Sequence, residues 1–165
     1  MPHWLEAGFS SAGLLVVVLQ QIPGIIRALW PPKVDPFARN SGTPLVEILE
    51  KTFGIGTVFL VVVVLARVPL SPMIEALSSA GAFLVLAAYY VFYIQYYRGI
   101  VAWPILLGMA AFPPVAFALI GLSGGNWPAI ITSVAFGMIH VGLTRKNLAS
   151  AARKESWTIR RSGHA

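Results

Sequence analysis

The sequence predicts an all-α integral membrane protein: a bundle of five transmembrane helices, N-terminus outside and C-terminus cytoplasmic. Three observations carry this. The chain has 165 residues, 57% hydrophobic and only 11% charged, with a mean hydropathy of +0.76. A soluble domain carries about 25% charged residues, so this chain cannot coat a globular surface with charge, and most of its outer face must meet lipid. Second, five apolar segments alternate with connections rich in Pro, Gly and Ser. Third, with five spans, eleven of the twelve Lys/Arg fall on one side and Arg67 alone on the other. The positive-inside rule places the richer side in the cytoplasm. A four- or six-span reading would split that set.

The first segment covers residues 7–29. It exceeds the ~20 residues that cross ~30 Å of hydrocarbon. It opens on small residues (Gly8, Ser10, Ser11, Ala12, Gly13), which let helices approach closely. Gln20, Gln21, Pro23-Gly24 and Arg27 follow, with Trp30 placed as an interfacial anchor. Pro23 lacks a backbone donor and should loosen the last turns. The N-terminus lacks a basic region and a small-residue cleavage site, so it is not read as a secretory signal. Residues 31–44 hold four prolines and read as a loop, with Phe37 near the headgroups.

The second segment starts near Leu45, with Thr43 as N-cap and Pro44 in the first turn. Glu47, Glu50 and Lys51 crowd its beginning, where acids suit the helix dipole. Its apolar part, residues 52–66, spans ~22 Å at 1.5 Å per residue, so Lys51 and Arg67 are expected to snorkel. The third segment, residues 73–98, follows a Ser71-Pro72 cap. It holds a small-residue stretch over 78–82 and all five tyrosines within residues 89–97. The fourth covers 103–122. Pro113-Pro114 in its middle removes two backbone hydrogen bonds, and in lipid the freed carbonyls need other partners; a bend or break is expected. The fifth covers 127–143, with His140 near its end. These spans make one domain, residues 1–146; residues 147–165 read as a basic cytoplasmic tail, and the chain from Thr144 on is expected to continue as an amphipathic helix along the membrane surface.

The net charge of +6 does not point to nucleic acid, because six of the twelve basic residues lie after Thr144 and most others flank apolar runs. Cysteine is absent. No nucleotide-binding glycine fingerprint, P-loop, catalytic triad order or zincin signature is present, and no mid-span lysine suits a retinal Schiff base. No catalytic residue, metal site or cofactor is assigned.

What remains is a polar set gathered at one end of the spans. Gln20, Gly24 and Arg27 share a helix face, as do Glu47, Glu50 and Gly54. Tyr89, Tyr93, Tyr96 and Tyr97 form a stripe, and His140 closes the fifth helix at the same end. Ionisable groups at membrane depth are functional candidates by default. Gln20, Arg27, Glu47, Glu50, Tyr89, Tyr93 and His140 are therefore the candidate ligand-binding residues of a cytoplasm-facing polar and aromatic pocket, widened by the Pro113-Pro114 bend. Each has a plainer reading. Glutamines bind helices together, helix N-termini favour acids that Arg39 or Lys51 can pair, and tyrosines populate interfacial belts. Tyr96 and Tyr97 are assigned to the belt, Tyr89 and Tyr93 to the interior.

Ile22-Pro23-Gly24-Ile25-Ile26-Arg27-Ala28, Pro31-Pro32-Lys33, Leu45-Val46-Glu47-Ile48-Leu49-Glu50-Lys51 with Gly54 and Gly56, and His140-Val141-Gly142-Leu143 with Lys146-Asn147 resemble a family of small, uncharacterised multi-pass bacterial membrane proteins. The chain departs from that pattern in Gly24, where the family places Asn, and in lacking an Arg before Gly54. The resemblance implies a bacterial inner-membrane location and supplies no activity.

Three functions fit: a small carrier or ligand-binding module, with transport by a homodimer; a non-catalytic membrane subunit or scaffold using the Gly54/Gly56 and 78–82 faces; and a membrane-embedded enzyme acting on lipid through Glu and His140. Membrane lipids are the expected partners, with no role for nucleic acid. The enzyme reading demands His140 within hydrogen-bond reach of Glu47 or Glu50.

Overall fold

The structure, a computed structural model, describes residues 5–32, 43–66 and 70–162. The chain order is β1 (Leu5–Ala7), α1 (Ser11–Leu29), α2 (Pro44–Val63), β2 (Val64–Ala66), α3 (Pro72–Tyr97), α4 (Trp103–Ser123) and α5 (Trp127–Ser162). The fold is all-α, and four helices, α1, α3, α4 and the stretch Trp127–Ala152 of α5, are long and apolar enough to cross a membrane. The second helix differs. Glu47, Glu50 and Lys51 occupy its first two turns, leaving residues 52–63 uncharged, about 18 Å of helix.

Local chemistry sets most boundaries. The Ser10 hydroxyl accepts from Gly13 N at 3.0 Å, starting α1, and the Ser71 hydroxyl accepts from Ile74 N at 3.4 Å, starting α3. Thr43 precedes α2 without a side-chain cap bond; Pro44, with its preset φ, begins that helix. Gly125 takes the left-handed φ of 62° that closes the α4–α5 turn.

Helix α4 lies at the centre, packed antiparallel on α3 and α5 and touching α1 and α2. The core is Val16, Val17, Val61, Leu86, Phe117 and Ile120 with the buried tyrosines. Helix α1 packs thinly, except where Gly13 meets α2: a Cβ there would overlap the carbonyl oxygen of Val61.

Three expectations need correction. Helix α2 ends at Val63, not at residue 66. Val64–Ala66 instead pairs antiparallel with Leu5–Ala7, and Gly8 N and Ser10 N extend the ladder to Val63 O and Val62 O. The β-branched end of the 52–66 run leaves the helix where the chain at residues 5–10 pairs with it. Of the bend or break expected at Pro113-Pro114, the break is absent: helix α4 continues from Trp103 to Ser123 with both prolines buried. As expected of the tail, helix α5 continues beyond residue 143, and Leu148 is buried in the core. Tyr96, assigned to the belt, is 1% exposed. The expected roles of Lys33, Arg39, Phe37, Arg67 and the tail side chains from residue 153 lie outside the described residues.

Candidate functional site

Two proline sites shape the polar end of the bundle. Pro23 is fully buried inside α1. Having no N–H, it leaves the carbonyl of Leu19, four residues earlier, without its helical donor. The Tyr90 hydroxyl donates to that carbonyl at 2.7 Å. Farther along, the Tyr97 hydroxyl donates to Trp30 O at 3.1 Å, so two tyrosines of α3 hold the last turns of α1. Pro113 and Pro114 likewise remove the helical donors of Met109 and Ala110, and those two residues, with Pro113, line a cavity.

That cavity is about 210 Å³. Its α1 wall is Gln20, Gln21, Gly24 and Arg27; Tyr89 and Tyr93 come from α3, His140 and Thr144 from α5. A larger cleft of about 580 Å³ adjoins it. Gln20, Gln21 and His140 line both. The larger cleft adds Glu50, Lys51, Gly54, Ile55 and Val58 from α2, with Phe117 and Phe136 behind. Six of the seven candidate residues therefore meet around one pair of chambers. Glu47 lines neither chamber.

His140 is the hinge of the arrangement. Its Nδ1 lies 2.5 Å from Glu50 Oε1. With Glu50 as carboxylate, the imidazole N–H donates and Nε2 is left for another partner. The ring stacks on Phe136, one turn earlier, at 5.2 Å and 24°, and Phe136 packs at Gly54, where a Cβ would approach its ring to 3.3 Å. The absence of a side chain at Gly54 thus seats the phenyl ring that orients the imidazole beside Glu50. Glu50 takes the histidine as partner rather than the Lys51 weighed from the sequence.

Gln20 Oε1 is buried and has no hydrogen-bond partner among the described residues. Other atoms of Gln20 line both chambers. The tyrosines continue as an edge-to-face chain, Tyr89–Tyr93 at 5.4 Å and Tyr93–Tyr96 at 6.0 Å, with Tyr89 and Tyr93 buried as cavity wall. No group of three or more metal-ligating side chains occurs among the described residues.

The small-residue faces weighed for partner binding are largely used within the chain. Ser78 and Ala82 are buried, Gly81 lies against Leu119, and Gly54 against Phe136; Gly56 has open space beside it, and Ala80 is exposed. Gln21, Thr144, Phe117 and Phe136 were not selected from the sequence. Phe136 had a legible signal, lying one helical turn before His140. The others are wall positions, which depend on which helices meet.

No family model, curated protein or solved structure matches this chain.

Proposed function

We propose that this chain is a five-span membrane protein that binds a small, partly apolar ligand in the paired chambers between α1, α2 and α5. The observation that carries the reading is the Glu50–His140 pair: His140 lines both chambers and Glu50 the larger one. The larger cleft, about 580 Å³, lies within the ~300–1,000 Å³ of small-molecule sites.

In this reading α2 is the fifth span. His140 meets Glu50 inside the bundle, which lets the charged first turns of a short helix enter the membrane. The charge asymmetry then sets the N-terminus outside and the polar end in the cytoplasm. A bacterial inner membrane rests on that asymmetry and on the resemblance of the 22–33, 45–56 and 140–147 motifs. Transport, if part of the activity, would draw on a dimer, since five spans contain no inverted repeat.

A second reading is favoured by the same 2.5 Å contact. A carboxylate behind an imidazole is the arrangement of a general base, so the chamber suits an enzyme acting on lipid. One experiment separates the two. Protein extracted in polymer-bounded native nanodiscs is expected to retain an amphiphile enriched over the surrounding lipid, and His140→Ala to lose it. A binding module returns that molecule intact after incubation at 37 °C; an enzyme returns a cleaved product. A lipid profile matching the bulk membrane, unchanged by His140→Ala, overturns both.

A further inference from the structure

We propose that an anionic phospholipid docks on the outer face of the bundle, one acyl chain in the groove between α1 and α3 and its phosphate on Arg98. Of the residues lining that groove, only Tyr93 also lines either chamber, so the proposal stands whether or not the chambers bind a ligand.

The groove follows from how α1 and α3 are joined. Two tyrosine hydroxyls tie them, Tyr90 to Leu19 O and Tyr97 to Trp30 O. The ties are seven residues apart on α3, about 10 Å along its axis. Between them the helices leave a groove of about 300 Å³. Pro23 and Tyr93, both buried, form its floor, and Ile26 and Ile94, 40% and 53% exposed, stand at its rim. Both helices are long and apolar enough to cross a membrane, so an exposed rim of isoleucines on them faces lipid. On α3 the wall positions Tyr90, Tyr93, Ile94 and Tyr97 recur at the three- and four-residue spacing of one helix face. The groove therefore runs along the helix axis, the direction in which an acyl chain lies.

The head group follows from what stands at the end of the groove. Arg98 completes the wall there, capping α3 where Gly99 turns the chain at a φ of 87°. Trp30, 67% exposed, shares that level, because its carbonyl accepts from the Tyr97 hydroxyl. Exposed Trp and Tyr at the end of a span mark the headgroup layer. Arg98 is exposed, and among the described residues its guanidinium has no ion-pair partner. No acidic residue lines the groove. The stem of Arg98 covers apolar surface while its charge stays in the headgroup layer. An unneutralised charge attracts an anion, and the guanidinium fork fits two oxygens of one phosphate. A free phosphate would meet the arginine but leave the apolar groove unfilled. A zwitterionic lipid would fill the groove with a head of no net charge. An anionic phospholipid satisfies both features at once.

The test measures lipid binding to the purified protein by native mass spectrometry from detergent. Palmitoyl-oleoyl phosphatidylglycerol is expected to bind at least fivefold more tightly than phosphatidylcholine with the same chains. Arg98→Gln is expected to bring that preference below twofold, and Arg98→Lys to keep most of it. Arg145→Gln changes another exposed arginine, on α5 and away from the groove, and is expected to leave the preference unchanged. A preference that survives Arg98→Gln overturns the proposal. So does an equal loss in Arg98→Gln and Arg145→Gln, which would reflect a general attraction of basic residues for anionic lipid. The seat of the chain is read in nanodiscs, in a protein with no native cysteine. A bimane label on Ile94→Cys is expected to be quenched at least twofold more by phosphatidylglycerol with a brominated chain than by phosphatidylcholine with the same chain. On Met138→Cys, a 69% exposed position of α5, the two lipids are expected to quench equally, as they should at Ile94→Cys once Arg98→Gln is added. Equal quenching by the two lipids at Ile94→Cys, with Arg98 intact, overturns the groove as the seat. Ile26→Trp, which fills the groove from its exposed rim, is expected to weaken phosphatidylglycerol binding at least fivefold. A dimer that Ile26→Trp dissociates would put a second copy of the chain on this face and overturn the lipid as its occupant.

Discussion

Asn126 closes two helices from one turn. Its side-chain amide donates to Leu60 O and Val64 O, both at 2.8 Å, at the end of α2. Its oxygen accepts from Ala129 N at 3.1 Å, capping the start of α5. The residue is 3% exposed, so water cannot replace these bonds. Losing an N-cap costs about 1 kcal/mol, and orphaned buried carbonyls cost about 1–3 kcal/mol each. Leu60 O also accepts the Val64 amide, which limits the second term. Asn126→Ala is therefore expected to destabilise the protein by about 2–3 kcal/mol, read from reversible unfolding in mixed detergent micelles. An unchanged midpoint would mean that the two helix ends are satisfied without it. Asn126 looked like an ordinary turn residue in Ser123-Gly124-Gly125-Asn126; nothing local in the sequence ties it to residues 60 and 64.

At the scale of an element, α1 is held at its polar end by a proline and two tyrosines rather than by extensive packing. Pro23 frees Leu19 O and Tyr90 supplies the donor. Interhelical hydrogen bonds within membranes are worth roughly 0.6–2 kcal/mol, so Tyr90→Phe should cost about 1 kcal/mol. The cause is testable by a double-mutant cycle. In a Pro23→Ala background the new backbone N–H takes the Leu19 carbonyl, and Tyr90→Phe should then cost almost nothing. An equal cost in both backgrounds would place the value of Tyr90 in ring packing. The proline was visible in the sequence, and so was the cluster of tyrosines. That one hydroxyl answers one missing N–H was not, since it depends on the register between α1 and α3.

At the scale of the molecule, alternating helix directions bring the polar ends of α1, α2, α3 and α5 together. Four helices have the length and apolarity of membrane spans, and the crossing by α2 is the proposal that orients the rest. Single cysteines report it directly. With α2 crossing, Thr43→Cys labels from the same face as Ile100→Cys, and Ser71→Cys from the same face as Gly124→Cys. The first pair is expected on the cytoplasmic side. Labelling of Thr43→Cys and Ser71→Cys from one common side would reduce the span count to four. It would also move the Glu50–His140 pair out of the membrane.

The sequence by itself determined the all-α class, the apolar segments and the end at which their polar residues gather. Those are local properties: run length, turn chemistry and helical spacing depend on residues a few positions apart. It also placed Gln20, Arg27, Glu50, Tyr89, Tyr93 and His140 at one level. Only the tertiary structure decided which partners each would find. Glu50 meets His140 and not Lys51, Tyr96 turns inward, and the end of the 52–66 run becomes a strand because β1 lies beside it. Such choices depend on contacts between residues 60 to 90 positions apart, where the energy of one hydrogen bond or one seated ring selects among neighbours that no local pattern distinguishes.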